Sequence, residues 1–123
     1  MHKAFTLIEL LAVIVIIGII ALISTPLVMN AIINAKKSAA KTSAYGYISA
    51  VEFNIANKQL NHTAYTMPNT FITSDDQNLN YKGTRPTTVD LELTDGRVIG
   101  GTITIDEYTM TIGTNGQVIN ITP

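Results

Sequence analysis

Residues Phe5 to Met29 read FTLIELLAVIVIIGIIALISTPLVM, and within them Leu10 to Ile23 is a run of fourteen residues with no polar side chain. About 20 predominantly apolar residues suffice for a helix to cross a bilayer, so this stretch is long enough. Its polar and proline interruptions are Thr6, Glu9 and the cluster Ser24-Thr25-Pro26. Lipid offers the backbone no hydrogen-bond partners, which makes helix the expected state in spite of the many Val and Ile residues. Gly18 and Pro26 are the weak points of that helix. Pro26 withholds one intrahelical hydrogen bond and crowds the turn before it, so a kink or local opening is expected there.

Downstream of Asn30 the apolar pattern becomes periodic. Ala40, Ala44, Ile48, Val51 and Ile55 recur at spacings of 4, 4, 3 and 4, one face of an amphipathic helix, with Tyr47 beside the stripe. Lys36, Lys37, Lys41, Ser43, Glu52 and Lys58 are assigned to the other faces. A helix from about residue 5 to about residue 60 would be roughly 80 Å long at 1.5 Å per residue, so only part of it can pack on its own domain.

Residues 61–87 read as a loop: Pro68, Pro86, Asp75-Asp76 and many Asn and Thr surround short apolar islands such as Phe71-Ile72. That is long for a structureless connection, so it is expected to lie against the domain surface with a short strand or turn of its own. The final third is β. Val89, Leu91 and Leu93 alternate with Asp90, Glu92 and Thr94, and Asp95-Gly96 supplies a tight hairpin turn. Arg97 to Ile105 follows, with a bulge or bend expected at Gly100-Gly101; Tyr108, Met110 and Ile112 alternate with Thr109 and Thr111. Asn115-Gly116 is a second hairpin signal, after which Val118, Asn120 and Thr122 face opposite to Ile119 and Ile121. The expected fold is therefore α+β: one long N-terminal helix packed against a four-stranded antiparallel β-meander over residues 88–123, one sheet face covering the helix stripe.

Composition narrows the function classes. The 123 residues have room for one small domain and an anchor, and the net charge of −1 argues against nucleic acid as a direct partner. Cysteine is absent, which removes disulfides, thiol chemistry and Cys-type zinc sites; the two histidines, His2 and His62, cannot make a multi-His metal site. No Gly-rich phosphate loop or catalytic carboxylate frame is present, so neither an enzyme nor a cofactor or metal is expected.

Glu9 needs a physical account. A carboxylate at the bilayer centre costs about 2.5–3.5 kcal/mol, and less near the interface, so it either sits at headgroup level or has a partner. The opening residues, Met-His-Lys-Ala followed by Phe-Thr-Leu-Ile-Glu and the apolar run, resemble the N-terminus of the type IV pilin and pseudopilin superfamily. The resemblance implies a leader at residues 1–4, with Lys3 and His2 as its positive charges, removed by a prepilin peptidase between Ala4 and Phe5. It also implies N-methylation of Phe5, a hydrophobic transmembrane and filament-core helix at 5–29, an amphipathic helix at 30–60 and a globular head over 30–123. In that family the acid at the place of Glu9 is thought to meet the N-terminal amine of a neighbouring subunit, setting axial register, and the proline at the place of Pro26 loosens the helix. Ala4 departs from the family's usual Gly before the cut, and the leader is short: either it is minimal or the start lies upstream of Met1.

Competing signals are weaker. A secretory signal peptide would not put Glu9 at the front of its apolar core, nor Pro26 where a small-residue cleavage site belongs. The acidic residues Asp75, Asp76, Asp90, Asp95, Asp106 and Glu107 lack EF-hand spacing for calcium. Asn61-His62-Thr63 and Asn120-Ile121-Thr122 fit a glycosylation sequon common by chance in a chain so rich in Thr and Asn. Lys36, Lys37 and Lys41 suit anionic headgroups, a solvated face or a filament contact. The resemblance implies a filament subunit, for adhesion, motility or DNA uptake, made as a single-pass membrane precursor and then displayed on the cell surface. Its alternatives are a pseudopilin of a type II secretion system and a membrane-anchored or secreted binding domain that never polymerises.

Overall fold

The computed structural model describes residues 4–61 and 64–123, and of residues 76–78 the backbone alone. Met1, His2 and Lys3 of the expected leader, His62, and the side chains of Asp76, Gln77 and Asn78 lie outside the described residues. The chain divides into two compact units, Met1–Lys36 and Lys37–Pro123. A helix, α1, spans Leu7–Asn61, supplying the first unit and opening the second.

Among the described residues the first unit is helix from Leu7 onward. Every large apolar side chain from Leu7 to Ile33 is at least 41 % exposed. The segment is long and apolar enough to cross a membrane. Helical structure continues through Pro26.

The second unit has its own core. Ala40, Ala44, Ile48, Val51 and Ile55 of α1 are buried as their spacing predicts, but so are Tyr47, fully, and Ser43. Ser43 is thus not on an outer face. Its Oγ accepts the Thr84 N–H at 3.3 Å, which lets the connection after the helix approach closely and satisfies a part-buried amide. Tyr47 stands edge-on to Phe71 and to Tyr81, ring centroids 6.2 and 5.1 Å away. Residues beyond the helix thus complete the core around it.

The sheet has five strands, not four: β1 Thr70–Ile72, β2 Thr88–Thr94, β3 Arg97–Ile105, β4 Tyr108–Ile112 and β5 Val118–Thr122, in that spatial order. All neighbours are antiparallel. The added strand, β1, comes from the region expected to be a loop. Three residues show too little alternation to read from sequence; one of them, Phe71, is buried, and that contact holds the strand in place. The Thr73 hydroxyl accepts the Val89 N–H at 2.9 Å, prolonging the β1–β2 ladder by a side chain. A 3₁₀ turn at Thr73–Asn78 follows.

Two bulges set which residues face the helix. Glu92 pairs with Gly100 but Leu93 with Val98, so Ile99 is the extra residue of β3. The bulge turns both Val98 and, farther along, Ile103 and Ile105 inward, although their numbers differ in parity. On β5, Thr111 pairs with Asn120 and Ile112 with Val118, leaving Ile119 as the extra residue. Val118 and Ile121 therefore both pack on the core while Ile119 is 61 % exposed, which corrects the simple alternation expected there. The Asp95-Gly96 turn has φ 53° and 77°, the two positive values a type I′ hairpin requires.

Candidate functional site

The chemistry of the N-terminal unit begins at the first turn of α1. Thr6 precedes the helix, and its Oγ1 accepts the Glu9 N–H at 3.2 Å, while Glu9 Oε2 accepts the Thr6 N–H at 3.4 Å. This reciprocal pair is a capping box: two backbone donors that the helix leaves without partners are satisfied by side chains three residues apart. The Thr6 carbonyl takes the first helical bond, from the Leu10 N–H at 3.2 Å. Glu9 lies where the helix dipole favours a negative charge, so the carboxylate is stabilised by its own helix. The signal for this role was present as Thr-x-x-Glu ahead of an apolar run, and it adds Thr6 to the residues that matter. The cap engages Oε2 of the carboxylate.

Ala4 and Phe5 precede the cap outside regular structure and are exposed, Phe5 by 84 %. The bond between these two residues lies outside the helix. Gly18 is surrounded by open space: a Cβ added there would meet nothing within 4 Å. Thr25 Oγ1 donates to the Ala21 carbonyl at 2.7 Å, so a hydroxyl in the apolar segment is satisfied inside its own helix. Its neighbour Pro26 has no N–H to give to the Leu22 carbonyl.

Among its described residues the second unit carries clefts but no gathered reactive set. One, of about 280 Å³, lies between Lys58, Tyr65, Thr70, Phe71 and Asp75; another, open and of about 550 Å³, lies between Glu52, Asp95, Arg97 and Asn115. Glu52 Oε1 in the latter accepts the Val98 N–H at 3.2 Å and is used structurally. Among the described residues no group of three or more His, Cys, Asp or Glu side chains could hold a metal ion.

Residues 1–25 match the family model described as the prokaryotic N-terminal methylation motif. That stretch is a prepilin-type N-terminus, characteristic of type IV pilins and pseudopilins. No curated protein and no solved structure matches the chain.

Proposed function

We propose that this chain is a structural subunit of a type IV pilus-like filament. It is made as a membrane-anchored precursor, cut by a prepilin peptidase between Ala4 and Phe5, and methylated on the Phe5 amine. It then polymerises with copies of itself through its N-terminal helix. The observation that carries the reading is a methylation motif running directly into a helix whose apolar side chains have no cover. Burying each such side chain is worth about 1.5–3 kcal/mol. A helix apolar on all sides needs either lipid or other apolar helices around it, and a filament subunit uses the first before assembly and the second after.

Glu9 is the polar element of that exchange. Its carboxylate pairs with the new Phe5 amine of a neighbouring subunit, so that two charges meet in an otherwise apolar bundle. A buried pair of this kind specifies register more than it adds stability. Pro26, already short of one hydrogen bond, is the place where the helix loosens to fit its neighbours. The role is structural rather than catalytic. A pseudopilin would use the same anchor, cut and acid in a shorter fibre. The test is electron microscopy of filaments sheared from the source cells, with intact-mass analysis of their main component. The expected result is this chain, beginning at methylated Phe5. A surface form retaining Met1, or one cut near Thr25, would overturn the reading, and fibres confined to the cell envelope would select the pseudopilin.

A further inference from the structure

Between Glu9 and Glu52 the chain holds Lys36, Lys37 and Lys41 but no carboxylate, while seven of its nine acidic residues fall between Asp75 and Glu107. Within the second unit this asymmetry becomes two separate patches. Lys37 and Lys41 are four apart on α1, which puts them on one helix face with roots about 6 Å apart. Tyr45 continues that face: Lys41 Nζ lies 6.0 Å from its ring centroid, and its hydroxyl accepts the Val118 N–H of β5 at 3.1 Å. The basic stripe therefore flanks the β5 edge of the sheet.

The acidic patch is on β2. Asp90 and Glu92 are both exposed, two apart on the outward face, hence about 7 Å apart. The residues directly opposite them across the strands offer no cation. Asp90 sits between Ile72 and Thr102, and Glu92 between Thr70 and Gly100. Two like charges stand together with no cation directly opposite either of them. None of these four charged residues has an ion pair within the described residues. β2 and β5 are separated by β3 and β4, so the patches of one chain lie on different parts of its head.

We propose that Lys37 and Lys41 of one copy dock on Asp90 and Glu92 of the next copy. The spacings match, the charges are opposite, and neither patch has an ion pair among the described residues. Complementary patches at two different places on one molecule make a heterologous contact, the kind that propagates into an open helical polymer rather than closing a dimer. The contact orients the heads while the apolar helices supply the burial, as expected for charge pairs that act on specificity and encounter rate. The inference rests on the filament reading.

The test uses the full chain in its source cells, with wild type and Glu9→Ala as reference arms. Lys37→Glu with Lys41→Glu, and separately Asp90→Lys with Glu92→Lys, should each cut filament yield by about tenfold or more through like-charge repulsion. All four substitutions together should restore it. Because the chain has no cysteine, Lys41→Cys with Glu92→Cys under a mild oxidant should give a disulfide-linked ladder on a non-reducing gel. Wild-type yield from either reversed pair, no recovery in the fourfold variant, or a monomer band alone overturns the docking while filaments of wild type keep the filament reading intact. Lysine reversal that instead depletes the membrane-bound precursor assigns the stripe to anionic headgroups. A wild type without filaments removes both proposals.

Discussion

Gly101 is the position where a single methyl group should do most damage to the head. It lies in β3 at φ 110°, opposite Leu91, and a Cβ there would run into the Asp90 carbonyl oxygen and lie 2.7 Å from Leu91 Cα. Both obstacles are backbone of the paired strand, so no side-chain rotation relieves them. Gly101→Ala must therefore hold a side chain in a glycine conformation, at about 1–3 kcal/mol, and also push β2 and β3 apart, at about 1–3 kcal/mol. The two together amount to about 2–6 kcal/mol, against a total of about 5–15 kcal/mol for a domain of ordinary stability. At about 4–8 °C per kcal/mol for a unit of this size, the melting temperature should fall by roughly 10 °C or more. The assay is thermal unfolding of the full chain in detergent micelles, followed by near-ultraviolet circular dichroism, to which the packed rings of Tyr47 and Tyr81 contribute. Gly100→Ala is the control, because its Cβ would lie 3.3 Å from Glu92 Oε2, the far end of a flexible side chain. Gly18→Ala is a second control, in open space. A Gly101→Ala protein melting within about 2 °C of wild type would refute the β2–β3 register from which the clash is derived.

Two further outcomes follow from the same geometry. Glu9→Ala should abolish filaments, and Glu9→Gln should abolish them too while keeping a side chain able to cap Thr6; the head should melt unchanged in both, and wild-type filament counts from the Gln variant would show that the cap, not the charge, is what assembly needs. Ser43→Ala removes the acceptor of the Thr84 N–H and should cost about 1 kcal/mol; an unshifted melt would mean that this amide finds another partner.

The long helix, its apolar front, the Ala40-to-Ile55 stripe and the Asp95-Gly96 hairpin were all legible from the residues in order. Each depends on neighbours close in sequence: an unbroken apolar run, a 3.6-residue period, a dipeptide whose backbone preference dictates a turn. The capping box was legible as well, since Thr6 and Glu9 are three residues apart, the spacing of a Thr-x-x-Glu box ahead of an apolar run. Tertiary structure decided the rest. Phe71 makes β1 a strand because Tyr47 is there to receive its ring, a contact across more than twenty residues that no local pattern encodes. Ser43 turns inward because Thr84 brings an amide to it. Ile99 and Ile119 are the extra residues of their strands because the partner strands, not their own alternation, fix which side chains meet the helix. Even the separation of Lys37 and Lys41 from Asp90 and Glu92 exists only once the strands are ordered β1 to β5. Sequence states which charges the chain carries, but the order of strands decides that they cannot meet within one copy.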